Sequence, residues 1–145
     1  MGKVPYSRQS INKNDIKAVS SVLKSDFLTT GPKVKEFEEK LQKIFSSKYS
    51  LALNSATSAL HVACMSLGLK RDEYLWTTPI SFVASSNCAL YCGANIDFVD
   101  IDQNTFNISV KSLEKKLKIT KKNKLPKILV VVHLSGHPVD LKTIR

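Results

Sequence analysis

Apolar residues recur at helical spacing twice near the start of the chain. Ile16, Val19, Val22 and Leu23 fall on one face of a predicted helix over Asn12 to Ser25, with Asn12 and Asp15 marking its start. Val34, Phe37, Leu41, Ile44 and Phe45 do the same over Lys33 to Phe45, where Ser46 and Ser47 end the run. Asp26 to Pro32, closed by Gly31-Pro32, is a loop between them. From Tyr49 onward, short apolar runs alternate with helical segments. Strands are predicted at Tyr49 to Leu53, Tyr74 to Thr77, Ile96 to Asp100 and Ile128 to His133. Helices are predicted at Thr57 to Leu69, Phe82 to Cys92 and Ser109 to Leu117, with another beginning at Leu141. This alternation defines the α/β class, a mostly parallel sheet with helices on both faces, preceded by two helices. Ile128 to Val132 is apolar at every position, as a strand covered on both sides should be. The expected division is an N-terminal helical segment, 1–48, and an α/β domain, 49–145.

Composition sets the class without choosing a function. A hydrophobic fraction of 43% and a charged fraction of 23% are ordinary for a globular chain of 145 residues. No apolar run is long enough to cross a bilayer and no secretory leader opens the chain, so a cytoplasmic location with no membrane partner is expected. Cys64, Cys88 and Cys92 lack the spacing of a metal framework and read as buried, reduced thiols. The net charge is +10, and Lys111 to Lys127 holds eight lysines against the one acid Glu114. Without interleaved arginines or aromatics, that run reads as a solvated helix and loop rather than a nucleic-acid site.

Candidate chemistry lies where strands end. Asn54-Ser55-Ala56-Thr57 joins a predicted strand to a helix, where Ala56 and Thr57 can offer backbone N–H groups to a phosphate at the positive end of the helix dipole. The segment is neither a P-loop nor a dinucleotide fingerprint. Thr77-Thr78-Pro79-Ile80-Ser81-Phe82 runs from a strand end into a helix, and Phe82 there can stack on a flat ring or fill the core. His133 ends a strand, where it can bond a ligand or serve as a satisfied structural histidine. No catalytic triad or metal-ligand spacing stands out.

Taken in order, six segments carry a resemblance. They are Pro5-Tyr6-Ser7-Arg8-Gln9, Leu28-Thr29-Thr30-Gly31-Pro32 with Phe37-Glu38, Asn54-Ser55-Ala56-Thr57-Ser58-Ala59-Leu60-His61, Thr77 to Ser85, Phe98-Val99-Asp100-Ile101-Asp102, and Val132 to Asp140. Together they resemble the DegT/DnrJ/EryC1/StrS family of sugar aminotransferases, which use pyridoxal 5'-phosphate (PLP). Within it they look most like the branch that makes the pseudaminic acid precursor. The resemblance implies the fold-type I aminotransferase large domain. It implies amination of a 4-keto-6-deoxy UDP-N-acetylhexosamine, with glutamate as donor, by a homodimer. It assigns Ala56 and Thr57 to the cofactor phosphate and Phe82 to the cofactor ring. Tyr6, Asp26, Phe27, Leu28, Thr29 and Ala56 would line the nucleotide-sugar site.

The same resemblance places the acid that pairs with the pyridine nitrogen, and the lysine that carries the cofactor, beyond Arg145. No catalytic residue is therefore assigned within 1–145, and cofactor contacts here are expected to be non-covalent. The expectation is an N-terminal portion with little or no activity alone, either truncated or working with a separate complementary C-terminal chain. Uncovered apolar edges would make it poorly soluble. The competing reading is a non-catalytic remnant or nucleotide-sugar binding module.

Overall fold

The computed structural model describes Pro5 and Ser7 to Arg145. It divides into two compact units, Met1–Ala52 and Leu53–Arg145. The first unit holds α1 (Lys13–Leu23) and α2 (Pro32–Phe45). Asn12 caps α1, its side chain accepting from the N–H groups of Asn14 at 2.8 Å and Asp15 at 3.3 Å. Asp15 returns the bond from its carboxylate to the Asn12 N–H at 2.8 Å, which completes a capping box. Pro32 opens α2 at a position where no N–H is required. The predicted inward residues Ile16, Val19, Leu23, Phe37, Ile44 and Phe45 are all exposed.

Tyr49 to Leu53 is not a strand. A strand needs a neighbour for its N–H and C=O groups, and among the described residues the segment has none. Instead the Ala52 N–H donates to the Glu38 carboxylate at 2.8 Å, and Tyr49 and Leu51 are exposed.

The second unit begins with α3 (Ala56–Ser66) and β1 (Tyr74–Thr77). It continues with α4 (Ala84–Tyr91), β2 (Asn95–Phe98), α5 (Val110–Ile119), β3 (Pro126–Leu129) and α6 (Leu141–Ile144). The strands form a parallel three-stranded sheet in the order β2-β1-β3. β1 is central, and Leu75 and Trp76 are completely buried on its opposite faces. Leu75 packs with Cys64 of α3 and with Cys88 and Ala89 of α4. Trp76 packs with Val99, Ile108, Leu113 of α5, and Val139. The sheet is therefore covered on both faces, as the alternating pattern predicted.

β3 lies earlier and is shorter than its apolar run suggests, and none of Ile128 to Val132 is fully buried. The strand is an edge of this sheet, and its partner β1 ends at Thr77. Lys116 of α5, with its side chain 23% exposed, ties that helix to the sheet. Its ammonium pairs with Asp97 at 2.6 Å, donates to the Phe98 carbonyl at 2.6 Å, and sits 4.8 Å from the Trp76 ring centre.

Candidate functional site

Ser55 caps α3 and sets its first turn. Its hydroxyl accepts from the Ser58 N–H at 3.1 Å. The N–H groups of Ala56 and Thr57 have no partner among the described residues. Ala56 is exposed and Thr57 half-buried, so the helix start presents two free donors at its positive end.

The carboxyl end of β1 builds a second feature. A cavity of about 230 Å³ opens between Thr77, Thr78, Phe82, Ser85, Ser86 and Phe98. Thr77 and Phe98 are register partners at the ends of β1 and β2, so the cavity lies at the edge where parallel sheets receive ligands. Thr77 is completely buried, and its hydroxyl has no hydrogen-bond partner. Such an orphan costs stability unless something outside the chain completes it. Ser81 and Ser85 share a hydroxyl bond at 2.9 Å that steadies the turn before α4. Phe82 precedes α4 and is 74% exposed, so it lies outside the buried core of the described residues. Ala56 and Thr57 do not line this cavity; they open α3, which packs beside α4.

Asp26, Phe27, Leu28 and Thr29 form a loop in the first unit, with Phe27 and Leu28 exposed. The Ser25 hydroxyl donates to the Val22 carbonyl at 2.7 Å, and the Gly31 N–H to the Thr29 carbonyl at 2.8 Å. A Cβ at Gly31 would stand 3.0 Å from the Phe27 Cβ, so the loop closes tightly only because position 31 is glycine. Tyr6 lies outside the described residues.

His133 has a structural role: its Nδ1 accepts from the Val139 N–H at 3.0 Å. Asn107, which the sequence pattern did not single out, is 4% exposed and fully engaged. Its carbonyl oxygen accepts from the Leu134 N–H at 3.0 Å, and its amide donates to the His137 carbonyl at 2.9 Å. It clamps the turn after His133, where Ser135 and Gly136 both take positive φ. Its partners lie some thirty residues away, so no local signal marks it. The Asp102 carboxyl is held below its usual range by the backbone N–H groups of Thr105 and Asn104. Burial, helped by the neighbouring Cys88 thiol, pushes the Cys64 thiol up to about 12, which makes it inert rather than nucleophilic. Among the described residues, no group of three His, Cys, Asp or Glu side chains gathers to hold a metal, and no helix is long and apolar enough to cross a membrane.

A strand-end cavity on a parallel sheet, beside a helix start with free donors, is where α/β domains of this class receive ligands. Comparison with known proteins gives the family. The model of the DegT/DnrJ/EryC1/StrS aminotransferase family matches residues 9–145, and the chain belongs to that family. It is 42% identical over 141 residues to the UDP-4-amino-4,6-dideoxy-N-acetyl-beta-L-altrosamine transaminase of Campylobacter jejuni, covering 97% of this chain and 36% of that protein. PseC of Helicobacter pylori, an aminotransferase involved in the biosynthesis of pseudaminic acid, superposes with a TM-score of 0.85 at 34% identity. That match covers 97% of this chain and 37% of PseC. The PLP form of a putative sugar aminotransferase from Streptococcus pneumoniae superposes with a TM-score of 0.87 at 28% identity, covering 97% of this chain and 35% of that one. The fold is that of fold-type I aminotransferases, and the chain spans about a third of the length of the relatives it matches.

Proposed function

We propose that this chain supplies the phosphate- and ring-binding part of a PLP-dependent aminotransferase. Its substrate would be a 4-keto-6-deoxy sugar carried on UDP, of the N-acetylhexosamine type, with glutamate as amino donor. The observation that carries the reading is the exposed Phe82 ring at the rim of a cavity whose buried Thr77 hydroxyl lacks a partner. Family membership and the likeness to PseC and to the Campylobacter transaminase support the substrate class.

The residues present suit a flat, phosphorylated cofactor. PLP, when bound, supplies the electron sink that lets an amino group pass between carbon atoms. The N–H groups of Ala56 and Thr57 donate to the phosphate at the helix start. Phe82 stacks on the ring, and the Thr77 hydroxyl has hydrogen-bonding capacity that an occupant of the cavity would fill. By resemblance to the family, Tyr6, Asp26, Phe27, Leu28, Thr29 and Ala56 are each assigned to the nucleotide sugar. Residues 1–48 serve as the helical segment and 49–145 as the PLP-binding part of the large domain. The working assembly is a homodimer in which the remaining functions of the aminotransferase are supplied by further sequence or by a complementary chain.

Because the chain spans about a third of its relatives, the test reads binding rather than turnover. PLP titrated into the protein is expected to change the PLP absorbance and quench Trp76. Phe82→Ala should weaken the affinity roughly tenfold by removing the stacking face. Ala56→Pro deletes one donor at a position where proline suits a helix, and should weaken PLP but not phosphate-free pyridoxal. Binding of UDP-N-acetylglucosamine with no PLP signal in any form would replace this reading with a nucleotide-sugar binding module.

A further inference from the structure

The outer face of α5 and the turn after it form a lysine stripe that the proposed cofactor site does not use. Lys111, Lys115 and Lys118 stand at i, i+4 and i+7, on the side of the helix away from buried Leu113. Lys121, Lys122 and Lys124 continue the stripe through a short 3-10 turn to the amino end of β3. All six are exposed, and the one acid among them, Glu114, pairs with Lys118. Inward-facing Lys116 is not part of the stripe, since it is bound to Asp97 and Phe98. Complementing the helix dipole accounts for a cation in the last turn of α5, but not for Lys111 or for the lysines beyond the helix. Nor does it explain Ile119, which is 74% exposed in the middle of the stripe, or exposed Leu125 at its foot.

We propose that this face docks peripherally on an anionic lipid bilayer. Lysines meet the headgroup charge as unshaped point charges, and an exposed aliphatic side chain among them can enter the acyl boundary. Nucleic acid suits the surface less well. The stripe has no arginine to fork onto bases or phosphates and no aromatic ring on which a base could stack. The three lysines of the turn lie at the amino end of β3, whereas the cavity lies at the carboxyl ends of β1 and β2.

The test is co-sedimentation of the full chain with vesicles of phosphatidylcholine alone and of phosphatidylcholine with phosphatidylglycerol, in about 0.1 M salt. Binding is expected to the mixed vesicles only and should fall as salt rises. Lys122→Glu should lower the partition roughly fivefold or more. Ile119→Ser, which leaves the charge unchanged, should lower it by up to about tenfold. Unchanged Trp76 emission in each variant shows that the fold is intact. Equal binding to neutral vesicles, or a partition unmoved by Ile119→Ser, overturns the proposal. Tighter binding to a single-stranded oligonucleotide than to the mixed vesicles also overturns it and assigns the stripe to nucleic acid.

Discussion

α1 and α2 contain no fully buried residue, whereas among the described residues the twelve buried apolar ones, from Cys64 to Val139, lie after Leu53. Local caps start helices in both units, at Asn12, Ser55 and Ser109, but the units differ in what their helices bury. In the first, specification is local: a capping box at Asn12, a proline at the start of α2, and a Lys40–Glu36 pair at 2.9 Å across one turn. In the second, α4 has no side-chain cap, yet Ala84, Ser85, Cys88 and Ala89 are all buried. Short-range bonds choose where a helix begins, but burial supplies most of its stability.

Trp76, the chain's single tryptophan, is completely buried in the second unit and reports that unit alone by fluorescence. Circular dichroism reports the helices of both. The largest effect should come from Leu75→Ala, which empties a fully buried site between α3 and α4. It should cost about 2–5 kcal/mol, read as a lower urea midpoint of the Trp76 signal. A shift under half a kcal/mol would show that Leu75 is not central to that core. Asn12→Ala removes the α1 cap and should cost about 1 kcal/mol of helix stability. The loss should appear in circular dichroism while the Trp76 transition stays in place; movement of both would mean that the units unfold together.

The smallest effect is electrostatic. Hydrogen bonds and charge from Lys33 and then Lys40 lower the Glu36 carboxyl from 4.5 to about 2. A lowered carboxyl contributes its stability in full above the unfolded value of 4.5 and loses it as pH falls through about 2. Part of the helical signal should therefore fade across that window. Glu36→Gln should remove that part, and raised salt should shrink it, since the group is exposed. A variant whose acid profile matches the parent's would show that the pair contributes nothing to α2.

Local signals in the residues match several elements of the structure. Tyr74 to Thr77 is a strand with the bounds its pattern predicts, and Asn12 and Ser109 cap the helices they were expected to start. Tyr49 to Leu53 has the same apolar character as Tyr74 to Thr77 but is not a strand, because strand formation depends on a neighbour that composition does not specify. Phe82 could be core or surface by sequence, and its position in the turn before α4 decided for the surface. The orphaned Thr77 hydroxyl and the Asn107 clamp had no sequence signal at all, because both depend on what lies across space.

The sequence by itself determined the α/β class, the helix starts, the lysine stripe and the ordered motifs of the family. Those features rest on hydrogen bonds and charges within about four residues, or on the order of residues along the chain. Tertiary structure alone decided which apolar runs paired as strands, which side chains were buried and which polar atoms, the Trp76 Nε1 and the Thr77 hydroxyl, were left unpartnered. Each of those outcomes depends on groups far apart in the chain, and the free energy of packing and pairing exists only once they meet.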